Sequence, residues 1–287
     1  MNSKLQFFGF GADGKDTAKI YGHTSAAYTF GCPDGKEHML IFDCGPSTWD
    51  TITELGAMNN VKEVVGVVTH PHAAHIYGFS KLMNKCRFNG VKFHLLKTPH
   101  ETEHEKIKWA LTNIVGINEK YLQSISLNET KDLFNLQGIE TELIKHVHNM
   151  QSIAYTLNEW PEDGDTRTKL VYATDHNDEK FVRRVIKDPA LKEFFTDCSS
   201  NSEDPINGWR NGWTHAHMPY EILKKIIREE TSDAAHYREV CSMITPIHLS
   251  DYELLDEIPH DGLNRVDSRL FMRQCFKKDD EGIEFRY

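Results

Sequence analysis

Val67-Val68-Thr69-His70-Pro71-His72-Ala73-Ala74-His75-Ile76-Tyr77-Gly78 carries three histidines in six positions, directly after an apolar, β-branched run. The run 61–68 has the composition of a buried strand, and its end delivers His70, His72 and His75 together. Imidazole nitrogens crowded at a strand end are the usual raw material of a metal site. An isolated histidine is most often a surface or satisfied core residue, but a cluster of this density is not explained that way.

Outward from that cluster, short strands alternate with helical stretches, which predicts an α/β fold. The stretch 4–13 reads as a strand, and 26–45 as a hairpin turning at Pro33-Asp34-Gly35. A helix follows over 47–56, with Ser47 or Thr48 as its cap and Gly56 as its stop. Further helices are expected over 101–116 and 218–231, the latter with Ile222, Ile226 and Ile227 near one face. Strands are expected over 140–149, 152–159 and 168–175, and a last one over 242–250. The polar stretch 196–213 is the one loop long enough to form a lid or site wall. With 287 residues, 39% of them hydrophobic, and no linker or repeat, the chain reads as one domain, 1–287.

The formal charge of -10, from 33 basic and 43 acidic residues, argues against a polyanionic partner such as duplex nucleic acid. No apolar run approaches the roughly 18 residues that span a bilayer, and the first residues lack a signal-peptide core. A cytoplasmic protein with no membrane partner is the expectation. Cys32, Cys44, Cys86, Cys198, Cys241 and Cys275 form no CxxC pair, which suits reduced thiols.

Further candidate ligands recur where apolar runs stop: His148, Asp175 and His248 join the first three histidines. Nitrogen and carboxylate donors of this kind suit Zn²⁺, with Mn²⁺ or Fe as competitors. At this point the sequence resembles the metallo-β-lactamase fold. "THPHAAHIYG" (69–78) is similar to the T-H-x-H-x-D-H-x-x-G signature, with Ala74 where that signature has aspartate. "HNMQSIAY" (148–155), "VYATD" (171–175) and "TPIHLS" (245–250) resemble the later ligand segments, in order, and "LIFDCG" (40–45) resembles the early D-x-G element.

The resemblance implies an αββα sandwich. It implies a first metal on His70, His72 and His148, a second on His75 and His248, and Asp175 between them, with Asp43 orienting a ligand histidine. Two Zn²⁺ are the expected cofactors, Mn²⁺ the substitute. "THAHMPYE" (214–221) narrows the likeness to the phosphodiesterase branch: ribonuclease Z, phosphoribosyl cyclic phosphodiesterases and viral enzymes that destroy cyclic-nucleotide signals. There His217, rather than His215, would reach the leaving oxygen or phosphate.

In that branch the missing aspartate ligates the second metal and positions the attacking water, and Ala74 does neither. Five histidines and an aspartate around a single lost carboxylate fit a recent or engineered loss better than drift. The expected function is therefore a phosphodiesterase acting on a cyclic mononucleotide, impaired by Ala74, in the host cytoplasm if viral, and dimeric as relatives often are. An RNA 3′-end endonuclease like ribonuclease Z is the alternative, opposed by the acidic charge and the lack of a basic arm. The third reading is a binding protein that sequesters the same ligand. Trp209, Trp213 and Tyr220 are candidates to stack on the base, against an ordinary core or lid role.

Overall fold

The structure, a computed structural model, describes residues 3–9, 11, 22–146, 151–161, 166–198, 217–247, 263, 276–279 and 282–285. The chain divides into two compact units, Met1–Asn135 with Asp267–Tyr287, and Leu136–Val266.

The first unit is built on a six-stranded sheet in sequence order. Its strands are β1 (Ser3–Gly9), β2 (Ser25–Gly31), β3 (Glu37–Phe42), β4 (Val61–Val67), β5 (Lys92–Lys97) and β6 (Ser124–Ser126). β1, β2 and β3 pair antiparallel, and β3 to β6 pair parallel. The β2–β3 turn closes with the amide of Gly35 on the carbonyl of Cys32 at 3.0 Å, and Gly35 takes φ 76. That left-handed conformation is why the turn carries glycine. β2, β3 and β4 are buried along most of their length, the pattern of strands covered on both faces.

After β4 the chain turns through the histidines into a short helix, Ala73–Ile76, and a longer one, Phe79–Phe88. Two glycines permit this packing. A Cβ on Gly45 would run into the carbonyl oxygen of Ala74, and one on Gly78 into the carbonyl oxygen of Gly45. The backbones are then stitched directly: Cys44 N–H donates to the His75 carbonyl at 2.7 Å, and Gly78 N–H to the Cys44 carbonyl at 2.7 Å. Ser47 occupies the cap position of the helix Thr48–Glu54, but its hydroxyl makes no cap bond. It accepts from the His23 amide at 2.8 Å and contacts His23 Nδ1 at 2.7 Å.

The second unit holds a five-stranded sheet in the order β11-β10-β9-β8-β7. These are β7 (Gly138–Lys145), β8 (Gln151–Asn158), β9 (Lys169–Ala173), β10 (Leu191–Asp197) and β11 (Ile244–Ile247). β7, β8 and β9 pair antiparallel, and β9, β10 and β11 parallel. Each unit thus runs an antiparallel meander into parallel strands. Just past the third meander strand, each places an aspartate with positive φ: Asp43 (φ 54) and Asp175 (φ 49). Helix Glu179–Ile186 is capped by Asp178, whose Oδ1 accepts the Phe181 amide at 3.0 Å. Helix Tyr220–Glu230 buries Leu223, Ile226 and Ile227, while Ile222 lies only half-buried beside that stripe. A short antiparallel pair, Phe276–Asp279 with Gly282–Phe285, completes the described strands. No helix among the described residues is long and apolar enough to cross a membrane.

The glycine packing predicts that Gly78→Ala destabilises by about 1–3 kcal/mol, because a methyl must displace backbone and not a mobile side chain. The measurement is the urea midpoint; an unchanged midpoint contradicts the packing.

Burial also pushes the imidazoles of His38, His104 and His176 below their ordinary pKa of 6.5. Below about pH 6.5 the unfolded chain takes up protons that these folded histidines refuse, so stability falls with acid and is unaffected by them above that pH. In chelator, the urea midpoint should drop between about pH 7.5 and about pH 5.5; a rise would contradict the burial.

Candidate metal centre

In the first unit the histidines are organised by Asp43, which is fully buried immediately after β3. Its own amide donates to the Val67 carbonyl at 2.8 Å, tying it to the end of β4. Its Oδ1 accepts the Thr69 amide at 2.8 Å, and its Oδ2 accepts the Thr69 hydroxyl at 2.8 Å. Oδ2 also meets His75 Nδ1 at 2.9 Å. A carboxylate only accepts, so His75 carries its proton on Nδ1 and its lone pair on Nε2.

The same logic passes through Thr69 to His70. The Thr69 proton is committed to Asp43, so its oxygen accepts from His70 Nδ1, 3.1 Å away. The lone pair of His70 is then on Nε2, which faces His72 Nδ1 at 3.0 Å. Two imidazole nitrogens on one tetrahedral zinc stand about 3.3 Å apart, so this separation fits shared coordination. The ring of His75 lies 4.2 Å from that of His70. Ala74 sits between them in sequence, buried at 5% exposure, and contributes a methyl and no donor.

In the second unit the organising group is Asp197, the fully buried last residue of β10. Its Oδ2 accepts the His176 amide at 2.8 Å and meets Nδ1 of the partly exposed His217 at 2.8 Å. His217 therefore holds its proton on Nδ1 and turns Nε2 to other work. Asp175 receives the Thr174 hydroxyl on Oδ1 at 2.8 Å. One ligand atom each from Asp175, Asp197 and His217 lie within 4.8 Å of one another. His146, buried just after β7, brings a ring nitrogen within 4.8 Å of an Asp175 oxygen, and its ring is 6.3 Å from that of His217. His176 serves the fold instead. Its Nδ1 accepts the Asp178 amide at 3.3 Å, its Nε2 bonds the Thr196 hydroxyl at 3.0 Å, and burial keeps it neutral.

The sequence-predicted residues divide accordingly. His70, His72 and His75 come together, and Asp175 and His217 come together. His148, His248, His215, Trp209 and Trp213 lie outside the described residues. Tyr220 is fully buried with Lys224 Nζ 4.9 Å from its ring centre, so it is a core residue and offers no stacking face. Asp197 and His146 were not anticipated. Asp197 follows only the short run Phe194-Phe195-Thr196, and "HVH" holds two histidines of which only the second has the expected spacing to Ser152 and Tyr155. Imidazole and carboxylate donors with fixed tautomers suit a divalent ion such as Zn²⁺.

The solved structure of YhfI from Bacillus subtilis, a metallo-β-lactamase fold protein, matches with TM-score 0.59 and 13% identity, covering 92% of this chain and 95% of that one. The short form of human tRNase Z, ELAC1, matches with TM-score 0.53 and 14% identity, covering 88% and 94%. At such identities the likeness establishes the fold, which is that of the metallo-β-lactamases. No curated protein matches in sequence. The family model described as "Anti-Pycsar protein Apyc1" matches residues 4–226, most of the chain, and the protein belongs to that family.

Proposed function

We propose that the protein is a metal-dependent phosphodiesterase whose substrate is a small cyclic nucleotide, and that Ala74 slows it. Family and fold support a hydrolytic enzyme with divalent metal. The observation that carries the reading is the pair of buried aspartates, Asp43 and Asp197. Each commits the Nδ1 proton of a histidine, as a catalytic or ligating imidazole requires.

The proposed ligand set is His70, His72 and His148 for a first ion and His75 and His248 for a second, shared through Asp175. His146 stands two residues from His148 and has the same chemistry. Divalent ions held by these residues would supply positive charge at the phosphate and would acidify the attacking water. The side chains do the rest. Opening a cyclic diester forms one P–O bond to water and breaks one to the ribose oxygen, which must leave with a proton. His217, once protonated on Nε2 and steadied by Asp197, supplies that proton. Position 74 is where the branch places a carboxylate to orient the attacking water, and a methyl cannot accept its hydrogen bond.

Acidic net charge and the lack of a basic arm favour the small substrate over RNA. The proposal extends to action as a homodimer in the cytoplasm. Ala74 also supports a second reading, a pocket that binds the nucleotide without cleaving it.

Ala74→Asp should raise turnover by about 100-fold or more, because misplacing an attacking group by the order of 1 Å costs roughly that factor. Affinity should change far less. Single-turnover hydrolysis of a cyclic-nucleotide panel, with saturating zinc or manganese, decides it. If both proteins bind and neither cleaves, the chain is a sequestering pocket; tight, salt-sensitive binding of transfer RNA precursors would instead favour the nuclease.

A further inference from the structure

A cavity of about 520 Å³ opens beside the histidine motif of the first unit, lined by Pro71, Thr102, Glu105, Trp109, Ala110 and Ile114. Pro71 is bonded to both His70 and His72, so the cavity borders the residues proposed to hold metal. Its floor is the helix Glu101–Asn113. That helix buries His104, Ile107, Ala110 and Leu111 at helical spacing, and Trp109 lies off this stripe. Its indole is 60% exposed, and Ile114 is 49% exposed. The buried stripe therefore does not account for an aromatic at position 109, and Trp109 and Ile114 put exposed apolar surface into one cavity.

Resting on the cyclic-nucleotide reading, we propose that Trp109 and Pro71 form a stacking shelf for the nucleobase, with the phosphate at the histidines. Pro71, which lines the cavity, lies between His70 and His72 in the chain, and this adjacency favours a ligand held at those histidines over a protein partner. A ligand anchored by its phosphate has only its sugar and base to project, and the indole of Trp109 offers that base an exposed aromatic ring on this unit. Stacking on an aromatic ring tolerates any base, because every base has a π-face. Thr102, Glu105 and Lys106 also line the cavity, and Lys106 pairs with Glu103 at 2.8 Å. The shelf would thus confer affinity for nucleotides as a class, with little choice among bases.

The test is calorimetric binding in zinc buffer of cyclic AMP, cyclic UMP and the base-free ribose cyclic phosphate. It compares the intact chain, Trp109→Ala and Trp109→Phe, with oligomeric state followed by light scattering. Trp109→Ala should weaken both nucleotides about 10-fold, the scale of losing one stacked base, and leave the base-free probe unchanged. Trp109→Phe should retain most of the affinity. If the intact chain binds the nucleotides and Trp109→Ala binds them equally well, the shelf is wrong while the cyclic-nucleotide reading stands. If the intact chain binds no probe, that reading fails and the shelf falls with it. Loss of a dimer in Trp109→Ala with nucleotide affinity intact would assign the surface to a second copy and overturn the proposal.

Discussion

The carboxylate of Asp43 receives three hydrogen bonds, from the amide and hydroxyl of Thr69 and from Nδ1 of His75. It is held out of water, so the cost of burying it must be met by those partners. Bonds to a charged group are worth about 1.5–3 kcal/mol each, enough to make this arrangement cooperative and costly to disturb. Everything around it follows from that demand. Thr69 must stand at the end of β4, Gly45 and Gly78 must be small enough for the chain to fold back, and His70 and His75 must put their lone pairs on Nε2. Asp197 repeats the device in the second unit with the His176 amide and His217.

The recurrence has a physical origin in the strand pattern. Each unit ends a meander in a parallel strand, and loops at the carboxyl ends of parallel strands are where backbone polar groups run out of ladder partners. An aspartate placed there satisfies those groups and orients a neighbouring side chain at the same time. The left-handed backbone at Asp43 and Asp175 is one that aspartate tolerates better than most residues.

What the sequence revealed, and what it hid, divides along the same physics. β4 and its histidines were legible because "VVGVV" is uniformly apolar and stops abruptly in ligands. β10 was not, because Lys192 and Glu193 interrupt its apolar pattern; Lys192 is spent on an ion pair with Glu159 at 2.8 Å, and burial pushes the Glu193 carboxyl up. With the strand hidden, Asp197 could not be read as a strand-end carboxylate. Ser47, like Thr48, has the chemistry of a helix cap, but the Ser47 hydroxyl bonds His23 instead, a choice made by tertiary contact. Trp109 gave no signal at all, since an aromatic in a helix reads as core until its neighbours are known.

If the aspartate-oriented imidazoles present their lone pairs to a metal ion, they do so with or without a carboxylate at position 74. Elemental analysis of the chain purified without chelator tests it most directly, set beside the same measurement on His70→Ala. About one or more zinc-like ions per chain are expected, lost in the variant, because the His70–His72 pair needs nothing from Ala74. A chain that carries no metal, and whose melting temperature does not respond to added zinc or manganese, would contradict it.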